Sequence, residues 1–382
     1  MSCTEERGVS VFRRVSQYDP AELDAAVEDI FTRGGFEKGN LAGKKIIIKV
    51  NALMKASPDE AVTTHPAVVA AIISALKRRG ADNILIADCP SGVYSPARSA
   101  GIFASCGFAE LRGEGVELLC DNETAHIAAG GSVAGFDILK CVAEADIVIG
   151  AGKLKTHALT GMTGAVKNYF GTISGLTKAE FHCRFPDSGE FVQMLCELCC
   201  AIKPDFNIID AVCGMQGNGP SGGEKREFGF IAGSSDAFAL DRLLARSLGL
   251  EVGEALTVAK SVELGLAPQD WRECPAAGDV DLLECPISDL KRPDSVPSTN
   301  LVSGNGIARI IRKAAAPRPV IRHGDCVGCG RCAEICPQHT IAIKDRKAYI
   351  NRKNCVRCFC CHEVCPQRAI DIKRNVLFRL VR

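Results

Sequence analysis

The chain has 382 residues, is 47% hydrophobic and 24% charged, and balances 46 Lys and Arg against 45 Asp and Glu. That length predicts two or three domains with a sizeable core, and the composition excludes wholesale disorder and low complexity. A formal charge of +1 gives no global signal for nucleic acid, while 21 cysteines are far more than an ordinary core uses.

Over residues 1–290 short β-branched runs alternate with longer helical patterns. In chain order the expected elements are a strand at 9–13, a helix at 21–32, a strand at 45–50, a helix at 66–79, a strand at 83–88 and a helix at 95–106. Strands at 116–120 and 146–150 follow, then a helix at 190–201, strands at 206–212 and 227–232, and helices at 237–248 and 253–265. Such alternation with nearly continuous apolar strands predicts an α/β domain, a mainly parallel sheet with helices on both faces. Residues 291–319, rich in Pro, Ser and Asn, read as a linker, with a helical turn or two possible at 306–313. From Arg318 onward there are 14 Lys and Arg against 5 Asp and Glu, so the charge changes sign at this boundary.

Residues 320–375 carry a duplication. Cys326, Cys329, Cys332 and Cys336 repeat as Cys355, Cys358, Cys361 and Cys365, both in the pattern C-x2-C-x2-C-x3-C and both followed by proline (Pro337 and Pro366), at an offset of 29 residues. Three closely spaced thiolates hold three irons of one 4Fe-4S cube, and the fourth, before the proline, reaches across to the other. One cluster is then expected on Cys326, Cys329, Cys332 and Cys365, the other on Cys336, Cys355, Cys358 and Cys361. Zinc is the rival, but structural zinc sites pair knuckles across long separations and do not place three cysteines within seven residues. This segment resembles the bacterial two-cluster 4Fe-4S ferredoxins, a small α+β domain. Cys360 is extra to the pattern and reads as a bystander. The basic surplus reads equally as an offset to cluster charge or as a solvated face. The tail at 376–382 is short and basic-apolar, and reads as docking on the domain.

In an open parallel sheet, ligands sit outside the carboxyl ends of the strands. Four expected strands run there into polar or glycine-rich segments: Lys49 to Asn51, Asp88 to Gly92, Gly150 to His157, and Asp210 to Pro220. Lys153, Lys155 and His157, after Gly-Ala-Gly, suit a carboxylate or phosphate; a plain surface loop is the alternative. The candidate substrate-binding residues are Lys49, Asn51, Asp88, Lys153, Lys155, Thr156, Lys167, Asn168, Asp210, Gly217 and Gly219, with Lys155 and His157 as catalytic candidates and 163–170 expected to be helical. Neither a P-loop nor a Rossmann fingerprint is complete, so neither ATP nor nicotinamide is supported. Cys196, Cys199 and Cys200 share a helix face with apolar neighbours and read as core. His65 and His182 are each candidate acid-base groups near neutral pH, with a hydrogen-bonded structural histidine as the commoner reading.

Thr63-Thr64-His65-Pro66, Lys153-Leu154-Lys155-Thr156-His157, Lys167-Asn168 and Gly217-Asn218-Gly219-Pro220 together resemble domain-of-unknown-function family number 362, whose members often carry a C-terminal two-cluster ferredoxin module. The resemblance implies an iron-sulfur protein with its chemistry unassigned. Lys49-Val50-Asn51 departs from the family's Lys-Pro-Asn.

Three functions remain open. The chain is an oxidoreductase passing electrons through two 4Fe-4S clusters to an anionic substrate, or an electron carrier or assembly protein whose α/β domain docks a partner, or a non-redox transferase or isomerase with an accessory cluster domain. The expected partner is a soluble electron donor or acceptor protein, with no nucleic acid and no membrane span. The chain opens on Met-Ser-Cys-Thr-Glu-Glu-Arg without an apolar leader and contains no bilayer-length apolar run, so a cytoplasmic location is expected.

Overall fold

The computed structural model describes residues 7–36, 39–294 and 317–373. The chain opens with β1 (Ser10–Arg14), α1 (Pro20–Arg33), β2 (Ile46–Val50), α2 (Pro66–Arg78), β3 (Ile84–Ala87), α3 (Pro96–Ser105) and β4 (Val116–Leu118). A hairpin of β5 (Thr124–Ala128) and β6 (Gly135–Leu139) leads through α4 (Lys140–Ala143) to β7 (Ile147–His157), β8 (Gly161–Thr163) and α5 (Ala165–Asn168). Next come α6 (Thr177–Arg184), α7 (Ser188–Ile202), β9 (Phe206–Gln216), β10 (Glu224–Ser234), α8 (Ala237–Ser247), α9 (Leu256–Glu263), β11 (Ala276–Gly278) and α10 (Asp281–Glu284). Proline in the first turn starts α1, α2 and α3, and Asp19, Ser95, Asp187 and Asp236 cap α1, α3, α7 and α8 with side-chain oxygens.

These strands form one nine-stranded sheet in the order β11-β1-β10-β9-β7-β2-β3-β4, with β8 beside β7. From β9 to β4 every pairing is parallel, and β10 joins both β9 and β1 antiparallel. The carboxyl ends of β2, β3, β7 and β9 therefore share one edge. β2, β7 and β9 are buried along their whole length, which is why their sequences lack the alternation of a half-exposed strand.

The structure corrects several sequence expectations. Gly150 to His157 is not a loop: β7 continues to His157 because β9 and β8 flank it and its polar side chains find partners inside the protein. β9 likewise runs on to Gln216. The helix expected at 163–170 is only α5 followed by a tight 3-10 turn at Tyr169–Thr172, and that at 253–265 is a 3-10 turn at Val252–Glu254 plus α9. Of the stretch at 291–319, the first residues are pinned to the α/β body: the Gly217 amide donates to the Lys291 carbonyl, and Arg292 pairs with Glu254. The turn at 306–313 and the tail at 376–382 lie outside the described residues.

The C-terminal part contains two antiparallel pairs, β12 (Arg318–Ile321) with β15 (Ile370–Lys373) and β13 (Ile341–Lys344) with β14 (Lys347–Ile350), and the single turns α11 (Arg331–Glu334) and α12 (Cys360–Glu363). The sequence duplication is also a backbone duplication. Gly328, Gly330 and His339 have φ of 68°, 81° and 49°, and Arg357, Phe359 and Arg368, each 29 positions on, have 58°, 63° and 48°. One apolar cluster of this part has only Cys332, Ile341, Ala348, Cys361 and Ile370 at its buried centre.

The two parts pack together. Ile335, Cys360 and Val364 meet Ala179, while Phe359 and Ile372 meet Ala158. The Ser221 hydroxyl donates to the Glu363 carbonyl at 3.0 Å, and His362 contacts the Asn218 carbonyl at 3.1 Å. Salt bridges join Arg368 to Glu60 and Arg98 to Glu334.

Candidate functional site

Two cavities in the C-terminal part are lined by cysteines. Cys326, Cys329, Cys332 and Cys365 wall one of about 370 Å³, together with Val327, Ile343 and Ile370. Cys336, Cys355, Cys358 and Cys361 wall another of about 350 Å³, with Cys360 at its rim. Each cavity thus draws three cysteines from one run and the fourth from the other. Amide groups four residues on, Thr340 and Ala369, donate to the Cys336 and Cys365 sulfurs at 3.3 Å each. Among the described residues no three His, Cys, Asp or Glu close round a single ion. The sulfurs instead ring a volume, which fits a cluster better than zinc.

A third cavity, of about 630 Å³ and open to solvent, lies at the carboxyl edge of the sheet where the two parts meet. Asn51, Asp88, Ser91, Lys167, Asn168, Lys178 and His182 line it from the α/β side; Ile335, Cys360 and Glu363 close it from the cysteine side. Cys360 therefore touches both this cavity and the second cysteine cavity.

At the edge of this cavity Lys49 Nζ lies 2.8 Å from Asp88 Oδ1, and Asp88 also accepts from the Ala52 and Cys89 amides. Gly171 allows this approach, since a Cβ there would fall 2.2 Å from Asp88. Asn168 donates to the Lys49 carbonyl at 2.9 Å. Lys178 donates to the Cys89 carbonyl. Lys167 Nζ has no hydrogen bond or ion pair among the described residues, and burial lowers its pKa. His182 is 7% exposed, stacks on Phe191 and leaves its ring nitrogens without hydrogen bonds among the described residues. Burial pushes His182 down to about 4, so it is neutral.

Glu363 belongs to the cysteine motif and points back into the α/β body. Its carboxylate lies 3.1 Å from His157 Nε2, off the line of a good hydrogen bond. His157 Nδ1 accepts from the Leu159 and Thr160 amides, which puts the proton on Nε2. Burial, and then Lys167, lower His157 to about 4. Burial raises the Glu363 carboxyl, but His157, Lys167 and His182 outweigh it and hold the group below the usual carboxylate range.

Of the sequence-predicted residues, the structure gathers Asn51, Asp88, Lys167 and Asn168 at the cavity. Lys49 stands behind Asp88. Lys153, Lys155, Thr156, His157, Asp210, Gly217 and Gly219 are not among its walls. Lys153 is spent on Asp210, at 2.7 Å, and on the Tyr18 hydroxyl. Lys155 donates to Asn51 Oδ1 and to the Val62 carbonyl. Thr156 donates to the Gly217 carbonyl, and Gly219 sits so close to Thr156 that a Cβ would meet its carbonyl at 2.1 Å. Lys178 and Glu363 were missed, and His182 was weighed only as an isolated acid-base candidate and not as part of this cavity. Lys178 and His182 share a face of α6 at i, i+4, a spacing that a search for paired basic residues would find.

Residues 46–246 match the family described as Domain of unknown function (DUF362). The chain belongs to that family. Residues 325–369 match the 4Fe-4S dicluster domain, and this DUF362 member is an iron-sulfur protein. It is 32% identical over 250 residues to a thylakoid-associated protein of Synechocystis sp., a match covering 65% of this chain and 75% of the other. No helix among its described residues is long and apolar enough to cross a membrane. Two solved structures overlap with it more loosely. The lactate racemase apoprotein from Thermoanaerobacterium thermosaccharolyticum gives a TM-score of 0.36 at 19% identity, covering 62% of this chain and 57% of that one. A protein from Thermotoga maritima gives 0.35 at 11%, covering 51% of each. The DUF362 chain thus spans little more than half of either structure.

Proposed function

We propose that this protein is an oxidoreductase that passes electrons through two 4Fe-4S clusters to a small anionic molecule held in the cavity between its two parts. One observation carries this reading: the segment bearing Cys358 and Cys361 supplies Cys360 and Glu363 as a wall of the polar cavity. A ligand there is the immediate neighbour of the second cysteine site. When bound, the clusters supply electrons one at a time.

The chain's own residues do the rest. Lys167 makes no hydrogen bond or ion pair among the described residues and has only the Glu363 carboxylate of the opposite wall to offset it, and Lys178 lines the same cavity; an anion would bring these two amines an acceptor. The His182 ring offers a neutral donor or acceptor to orient the ligand. Glu363 and Cys360 face the ligand from the cluster side. A count of 21 cysteines suits a reducing compartment, and we read the protein as cytoplasmic.

The test has two arms. Protein purified without oxygen should contain about eight iron and eight sulfide, and Cys336→Ala should damage the cluster built on Cys355, Cys358 and Cys361. About four iron, or zinc in its place, would sink the two-cluster assignment. A thermal-shift screen of small carboxylates and phosphates on the iron-loaded protein should then find stabilising anions. Lys167→Ala should weaken them about tenfold to a hundredfold, the cost of one charge-assisted hydrogen bond. Anions that stabilise wild type and variant alike would rule out the cavity as their site.

A further inference from the structure

The first cysteine cavity shares no lining residue with the cavity between the two parts. Among the described residues, only Val93, Leu176, Val327, Ile343 and Tyr349 are large hydrophobic side chains left exposed. Val327, 50% exposed, and Ile343, 37% exposed, both wall the cavity ringed by Cys326, Cys329, Cys332 and Cys365. Cys329 is exposed, whereas Cys336, Cys355, Cys358 and Cys361 of the second site are half-buried or buried. The tip of the β13–β14 hairpin stands next to Val327: Gly328 lies against the Arg346 backbone, and Lys347 Nζ donates to the Cys326 carbonyl at 2.7 Å. Around this apolar centre Arg331, Lys344 and Arg346 are exposed and have no acidic partner among the described residues; of the acids on these loops, Asp345 is exposed and Asp325 is engaged by Arg322.

We propose that this face docks a small acidic one-electron carrier protein, which feeds the first cluster while the second serves the cavity. The inference rests on the two-cluster reading above. An apolar centre with a cationic rim suits the small, charge-steered interfaces of redox encounters, commonly below about 1,200 Å². A second copy of this chain suits it poorly, since two like-charged rims would repel. In the step itself the carrier's reduced centre loses one electron and the chain gains it at the Cys326, Cys329, Cys332 and Cys365 site. No bond forms or breaks.

The experiment uses the iron-loaded full chain and, as probe, a plant-type 2Fe-2S ferredoxin, an acidic carrier. Calorimetry gives the dissociation constant and stopped-flow mixing gives the rate constant for cluster reduction, with dithionite as a docking-independent reductant in parallel. The double variant Lys344→Glu, Arg346→Glu should weaken binding and slow reduction by about tenfold or more at about 0.02 M salt, with the gap closing at about 0.5 M. Ile343→Ser should weaken binding severalfold at both salts, and the double variant should keep wild-type iron content and dithionite reduction. Variants that bind and react as wild type overturn the proposal. So does an equal loss from Arg272→Glu in the α/β body, or a wild-type dimer that the double variant dissolves. If dithionite reduces the wild type but the ferredoxin neither binds nor reduces it, the docking inference alone fails. If no iron or reducible centre is found, the two-cluster reading fails with it.

Discussion

Lys155 is a lysine whose charge is balanced at neutral pH. Burial first, then repulsion from Lys167 and Lys153, lowers its pKa to about 7. Its two acceptors, Asn51 Oδ1 at 3.0 Å and the Val62 carbonyl at 2.7 Å, are satisfied by a neutral amine as well as by an ammonium. Because the folded value lies below the unfolded one, the unfolded chain binds the extra proton between about pH 7 and 10.5. The stability that the neutral amine gives is complete above that window and is lost as pH falls through it. Lys155→Met should therefore flatten the rise of melting temperature across this window, which melts of wild type and variant at matched iron content will show. An unchanged slope would mean that Lys155 keeps its charge when folded. Lys153, one pleat away, has a carboxylate beside it in Asp210, and this difference was invisible in a sequence where both are simply lysines after Gly-Ala-Gly.

At the scale of elements, the duplicated cysteine loops make the plainest case. Each needs left-handed residues to turn its cysteines inward, and the first copy meets this with Gly328 and Gly330, the second with Arg357 and Phe359. Gly330→Ala should cost about 1–2 kcal/mol, since the space around it is open and only the backbone conformation is penalised. Gly328→Ala should cost more and lower iron content, because its Cβ would fall 2.4 Å from the Arg346 carbonyl. Melting curves and iron assays of the two variants decide this; equal losses would argue against steric contact as the cause. The repeat, the alternation of strand and helix, and most element positions were legible, because spacing and apolar runs are local properties. The continuation of β7 through Lys153, Lys155 and His157 was not. Its polar letters look like a loop until β9, Tyr18 and Asn51 are known to lie alongside.

The whole molecule depends on contacts that no local pattern announces. Glu363 reads as a solvated acid inside a cysteine motif, yet it is buried against His157, some 200 positions earlier in the chain. Phe359 and Ile372 pack on Ala158, and Arg368 reaches Glu60. This interface predicts that residues 1–294 and 317–382, co-expressed as separate chains, will copurify anaerobically as one brown complex. Val364→Asp, which puts a charge into the apolar contact with Ala179 and Ile335, should separate them. Halves that never associate would show that the connection at 295–316, and not the interface, holds the parts together.

On the proposed function, in which Cys360 and Glu363 wall the ligand cavity and Cys360 also lines the second cysteine cavity, metal loading and ligand capture would be thermodynamically linked. The five residues at the centre of that small apolar cluster give the C-terminal part little to fold around by itself, so iron and sulfide have to supply what its core does not. On that reading a newly made chain would lack the wall of its binding pocket formed by Ile335, Cys360 and Glu363 until the clusters are in place. Reciprocity requires that any ligand held by the finished pocket also slows cluster loss. In the cell, the supply of binding-competent protein would follow the supply of iron, while substrate would guard the protein against oxidative damage.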